Sequence, residues 1–292
     1  MSIVRWSVSQ RPLKDMDQDS DFQIAPPIVY KYRWFDPAGK HLRLITLGEL
    51  WFACAKDFND PFDTSFRYNF DGLHTELGER WARDAANRHQ SDLSPHDRET
   101  FALARIAELR NDPKQVQLTN QYTIESNYKT FGICSLCAAN DNLLLWAHYS
   151  HDHKGFCVGL SVDYLDSISK SLVPKELYLD LHKVKYSPVV PNPNFFEKMI
   201  NMDDTSYIVD FIATKSPDWS YEQEYRLVFW DKVNWALRLA PEAVSEVILG
   251  CRISPEHRDE ILHACRTHVP HARLLQASKQ DSRFAVSFED IV

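Results

Sequence analysis

Glu222, Glu224 and Arg226 alternate within the stretch Trp219 to Trp230, which reads W-S-Y-E-Q-E-Y-R-L-V-F-W. The stretch is dense in aromatic and β-favouring residues and free of Gly and Pro, so it reads as a strand within a sheet. Alternation puts Glu222, Glu224, Arg226, Val228 and Trp230 on one face and Tyr221, Gln223, Tyr225, Leu227 and Phe229 on the other. Side chains on one face of a strand stand roughly 7 Å apart, so two carboxylates and a guanidinium share a patch that merges into apolar surface. Such a face suits the wall of a cleft, and equally the salt-bridged face of an outer strand. Two carboxylates together with Asp60 or Asp63 and His148 could do general acid–base work, which would make the chain a hydrolase or nuclease.

Other polar and aromatic groups cluster at few places. The segment Asp57-Phe58-Asn59-Asp60-Pro61-Phe62-Asp63 reads as a rigid turn, because Pro61 makes Asp60 extended and the Asn and Asp side chains bond nearby backbone N–H groups. Both phenylalanines are expected to pin this turn to the core, with a substrate-facing loop as the functional alternative. Trp146, His148 and Tyr149 end a short amphipathic helix capped by Asp141 and lie just before the strand Gly155 to Leu160, an arrangement that could line a pocket with aromatic rings. Cys134 and Cys137 form a C-x-x-C, but no second pair of ligands stands at matching spacing, and alternation puts the two sulfurs on opposite faces of a strand.

The elements that position these groups follow from the pattern. An arm over residues 1–27 leads into one α+β domain over 28–292. Strands are expected at Ile28 to Trp34, Leu50 to Cys54, Tyr128 to Leu136, Val184 to Tyr186, Val244 to Leu249, Ala272 to Gln276 and Phe284 to Phe288. The four-residue spacing of Leu73, Leu77, Trp81 and Ala85 begins a helical insertion at about 73–126, with a second helix after Ser94-Pro95. Further helices fall at Phe195 to Ile200, Tyr207 to Ile212 and after Ser254-Pro255. The fold class is therefore α+β, a mixed or antiparallel sheet with helical insertions.

With 292 residues, 44% apolar and 25% charged, the composition is that of a globular protein. Only 8 glycines are present, and neither a phosphate-binding P-loop nor a dinucleotide fingerprint occurs. A net charge of −8 supplies no general attraction for nucleic acid. The N-terminus carries no signal-peptide pattern and no apolar run is long enough to span a bilayer, so a cytoplasmic protein without membrane contact is expected. Six cysteines in so long a chain do not make a disulfide framework.

In order, Y-K-Y-R-W at 30–34, E-L-W-F-A at 49–53, F-N-D-P-F-D at 58–63, W-A-H-Y at 146–149 with H-K-G-F-C-V-G-L at 153–160, and W-S-Y-E-Q-E-Y-R-L at 219–227 resemble the bacterial family called domain of unknown function 2971. The chain is also similar to ADP-ribosyltransferases, in Arg33 on the first strand, E-L-W-F-A on the second and the E-x-E of Glu222-Gln223-Glu224. That resemblance implies an ADP-ribosyltransferase-like fold and NAD as co-substrate, with ADP-ribose passing to an unidentified protein or nucleic-acid acceptor. It implies Glu224 as the catalytic carboxylate, Glu222 orienting the acceptor, Arg33 or Lys31 holding the diphosphate, and Trp51 or Phe52 stacking on nicotinamide. Tyr32, Asn59, Asp60, Trp146, His148 and Tyr149 would complete the cofactor site, in a bacterial defence or toxin setting such as phage defence. The contrasting expectation is a non-catalytic binding or sensor module that uses the charged strand face as its interaction surface.

Overall fold

The computed structural model describes residues 21–172, 178–201 and 206–291. Residues 1–20 of the expected arm lie outside them, and the arm's end is seen as a short 3₁₀ turn, Asp21–Gln23, whose Phe22 is buried in the main core. The strands are β1 (Ile28–Arg33), β2 (Glu49–Cys54), β3 (Phe131–Cys137), β4 (Phe156–Ser161), β5 (Leu179–Lys183), β6 (Lys185–Tyr186), β7 (Thr214–Lys215), β8 (Glu224–Trp230), β9 (Trp235–Arg238), β10 (Val244–Leu249), β11 (Arg273–Lys279) and β12 (Val286–Asp290). The helices are α1 (Arg43–Thr46), α2 (Glu76–His89), α3 (Pro95–Asn111), α4 (Pro113–Thr130), α5 (Leu143–Tyr149), α6 (Val162–Ser171), α7 (Phe195–Ile200), α8 (Ser206–Ala213) and α9 (Pro255–His268).

Among the described residues ten strands form one mixed, mostly antiparallel sheet, and β6 and β7 form a small parallel pair. The fold is α+β. From one edge the large sheet runs β12-β11-β10-β4-β1-β3-β8-β5, with β10 and β11 parallel and joined through α9. The order is decided at β3. One of its edges carries β8 along its whole length, and β1 and β2 divide the other. β1 meets β3 at Tyr30 opposite Cys137, whereas β2 meets it at Ala53 opposite Ile133 and Cys54 opposite Gly132. Ser135 lies in the gap between them, and its carbonyl accepts a hydrogen bond from Lys31 Nζ at 2.5 Å.

The two faces of the sheet are covered differently. Val29, Leu136, Val158, Leu227, Phe229 and Val247 belong to the main core, which packs under residues of α1, α6 and α9. The opposite face carries Tyr30, Tyr32 and Cys137 under Trp146 of α5 at one end. At its other end Ile133 and Val228 pack against Trp81, Ile106, Phe196 and Phe211 of the helical layer. Local chemistry starts these helices: α3 and α4 in that layer, and α9 over the main core, each begin with a capping Ser or Asp followed by Pro at the first helical position. Cys134 faces the main core and Cys137 the other side, as alternation requires. No helix among the described residues is long and apolar enough to cross a membrane.

One expected strand is shorter than its pattern. Trp219 to Glu222 belong to a 3₁₀ turn, Pro217–Glu222, Gln223 is left-handed with φ 45°, and β8 begins at Glu224. Ser216 caps the turn and Pro217 occupies its first position, and these local signals override the β preference of the aromatics behind them.

Candidate functional site

Five charged side chains meet on the second face of the sheet, between its two apolar layers. Arg226, fully buried on β8, is the centre. Its Nη2 donates to Asp63 Oδ1 and Oδ2 at 2.8 and 2.7 Å, its Nε to Glu224 Oε1 at 2.9 Å, and its Nη1 to the Ile212 carbonyl of α8 at 2.7 Å. Lys215 of β7 donates to Glu222 Oε2 at 2.6 Å and Glu224 Oε2 at 3.1 Å, and stands 3.5 Å from Asp63 Oδ2. Tyr149 at the end of α5 donates to Glu222 Oε1 at 2.7 Å, and the Glu224 backbone N–H donates to the Tyr186 hydroxyl at 2.9 Å.

Each part is delivered by local structure. Asp63 comes from the expected self-bonded turn: Asp60 Oδ1 accepts from the Phe62 N–H at 2.9 Å, and the Asp60 carbonyl from the Asp63 N–H at 3.1 Å. The 3₁₀ turn and left-handed Gln223 bring Glu222 back toward Lys215, so Glu222 joins Glu224 without sharing its strand. Tyr149 is set by α5, whose exit runs through three consecutive left-handed residues, His151, Asp152 and His153. Their backbone is locked by Asp152 N–H to the Ala147 carbonyl and His153 N–H to the Trp146 carbonyl, both at 3.1 Å. Left-handed backbone is costly for side chains other than Gly, so the surrounding bonds must hold it.

Electrostatics follows from this pairing. Burial alone would raise the Glu224 carboxyl, but the charges of Arg226 and Lys215 override it and hold it at about 2. Burial works against the Lys215 ammonium too, and Glu224, Glu222 and Asp63 together raise it above its ordinary range. Arg226 is likewise raised, against its burial, by Glu224 and Asp63. Burial and then Glu222 push the Tyr149 phenol up, and burial takes Tyr186 to about 12. Glu224, Lys215 and Arg226 therefore stay ionised near neutrality, and the Tyr149 and Tyr186 phenols stay protonated.

Above this floor lies an arc of rings. Trp219 is half-buried with Lys215 Nζ 4.8 Å from its ring centre. Tyr221 lies 6.0 Å from Trp219 and 6.4 Å from the exposed His148. A cavity of about 450 Å³ between the start of α9 and β11 shares no residue with the cluster.

The residues expected to act together are only partly brought together. Glu222, Glu224, Asn59, Asp60 and Tyr149 are at or beside the cluster, Asn59 Nδ2 reaching Tyr149 Oη at 3.5 Å. Arg33 and Lys31 are not, because they share the face of Val29 whereas Glu224 and Arg226 share that of Val228. Phe52 is fully buried against Phe229, Tyr32 is buried with its hydroxyl on the Ala139 carbonyl, and Trp146 is fully buried with its N–H on the Asn140 carbonyl. These three are core residues and do not line a pocket, since side chains of this size are needed to fill the layers between strands and helices. Trp51 is 48% exposed on the other side of β2 from Phe52. Of the two phenylalanines expected to anchor the turn, Phe58 packs on the helical core and Phe62 is 76% exposed. Sequence reasoning gave no role to Lys215 or Tyr186; the only local signal near Lys215 is the Ser216-Pro217 helix start that follows it.

No curated protein and no solved structure matches the chain. Residues 145–227 match the family model described as protein of unknown function (DUF2971). That matched segment holds Tyr149, Tyr186, Lys215, Trp219, Tyr221, Glu222, Glu224 and Arg226, so the similarity takes in almost the whole of the charged cluster and its rim.

Proposed function

We propose that the chain is a recognition module without catalytic turnover, whose ligand-facing surface is the rim of Tyr149, Trp219, Tyr221 and His148 above the ion-paired floor. The observation that carries this reading is the internal pairing of every charge in that floor. A general acid or base must exchange a proton near the working pH, and a nucleophile needs a free lone pair. Glu224 held at about 2, and Lys215 and Arg226 held above their ordinary ranges, do neither. Such a floor is a support: Glu222 orients Tyr149, and Lys215 seats Trp219. A sensor or partner role in bacterial stress or phage defence is compatible with it. The test is to incubate the full chain with NAD, and separately with nucleic acid and Mg²⁺, and to follow nicotinamide release and strand cleavage. Neither is expected. Turnover of either kind that Glu222→Gln abolishes while the fold is kept would overturn the reading.

A second reading has one observation in its favour. Arg33 is half-buried and its guanidinium has no hydrogen-bond partner among the described residues, next to Lys31 on the same strand face. Two adjacent cations without a carboxylate bonded to either are a natural seat for a diphosphate. That favours an ADP-ribosyltransferase-type enzyme using NAD as co-substrate, with Arg33 and Lys31 holding its diphosphate. Nicotinamide release whose KM rises in Arg33→Ala would support it, and no release from the wild-type chain would end it.

A further inference from the structure

The recognition reading leaves the ligand class open, and the rim narrows it. Trp219, Tyr221 and His148 form an arc with successive ring separations of 6.0 and 6.4 Å, all three at least partly exposed. Aromatic faces attract cations, and more strongly where water is excluded. The floor behind the arc adds to that attraction. Asp63, Glu222 and Glu224 face Lys215 and Arg226, three negative charges against two positive, and Asp218, exposed on the same 3₁₀ turn as Trp219, contributes another carboxylate. The arc already handles this chemistry within the chain, since Trp219 takes the Lys215 ammonium at 4.8 Å. Because the rings lie on an open surface, the cation they fit is one carried on a chain that can rest across them.

Resting on the recognition reading, we infer that the rim docks a basic peptide segment, with a lysine or arginine side chain seated on Trp219, Tyr221 and His148. The complementarity is between cation, π-face and surplus negative charge, and an acidic segment meets that surplus as net repulsion. Trp219 and Tyr221 hold the side chain through their rings, and Glu222 supplies longer-range attraction without giving up its bonds to Tyr149 and Lys215.

The experiment titrates the full chain, by tryptophan fluorescence and calorimetry, with three blocked pentapeptides alike except for central residues of arginine and lysine, of glutamine, or of glutamate. The basic peptide is expected to bind, with affinity falling as salt rises, and Trp219→Leu to weaken it by about tenfold. Tyr221→Ala is the second variant, in case Trp219→Leu loses its fold by circular dichroism, and it should weaken binding in the same direction. A basic peptide that binds no better than the glutamine peptide overturns the inference, as does basic binding indifferent to both variants. If the glutamine or glutamate peptide binds better and loses that binding in the variants, the cation inference fails while the recognition reading stands. Nicotinamide release or nucleic-acid cleavage by the same preparation removes the recognition reading itself.

Discussion

Two groups of charges lie back to back across β1, β3 and β8, and their environments are opposite. On one face Asp63, Lys215, Glu222, Glu224 and Arg226 pair with one another completely, each no more than 9% exposed. On the other, Lys31 has a single bond to the Ser135 carbonyl and the Arg33 guanidinium has none among the described residues, while both keep contact with solvent. The comparison separates two uses of charge. A buried charge is tolerated only where partners replace water, so the first group is bound up with the architecture. The second group keeps some contact with solvent, yet burial still holds both cations below their ordinary ranges, so it carries a desolvation cost that no bonded carboxylate offsets.

The largest effect should come from breaking the paired group at its centre. Arg226→Met leaves Asp63 and Glu224 buried beside each other with one of the two cations they share removed, and should cost about 3–5 kcal/mol in urea unfolding. A loss under about 1 kcal/mol would mean that the cluster contributes little to the fold. Acid titrates the same group. The Glu224 carboxyl is depressed from 4.5 to about 2 in the folded chain, so its contribution is fully present above 4.5 and is lost as pH falls toward 2. Urea midpoints at pH 6, 4 and 3 should decline through that window in the wild type and decline less in Glu224→Gln. Tyr149→Phe removes one donor to a charged acceptor and should cost about 1.5–3 kcal/mol. Arg33→Ala sharpens the contrast from the other side: stability should stay within about 0.5 kcal/mol of wild type, because no bond to that guanidinium is lost.

How much of this was legible in the sequence depended on whether the deciding signal was local. The strands β1, β2 and β4, the turn that carries Asp63 and the helix starts at Ser94-Pro95 and Ser254-Pro255 each have their cause within a few residues. The common face of Glu224, Arg226 and Val228 followed from alternation alone. What was not legible came from pairings distant in the chain. Lys215 enters the cluster because β7 pairs with β6 and the next turn folds back, and β5, which holds His182 opposite Arg226, has no alternation clean enough to mark it. Arg33 and Glu224 were expected to share a site, and only the sheet order and the parity of two strands 191 positions apart, 33 to 224, reveal that they face opposite ways.

That sheet order also bears on what the family segment can be on its own. Residues 145–227 include β4 and most of β8, yet these strands never touch, because β1 and β3 from the earlier part of the chain lie between them. Asp63, which takes two of the hydrogen bonds from Arg226, also lies outside the segment. Excised at its boundaries, the segment would lack the two central strands and one of the two carboxylates that pair with Arg226, so it is a stretch of shared sequence that depends on the rest of the chain and not a module that could be transplanted by itself.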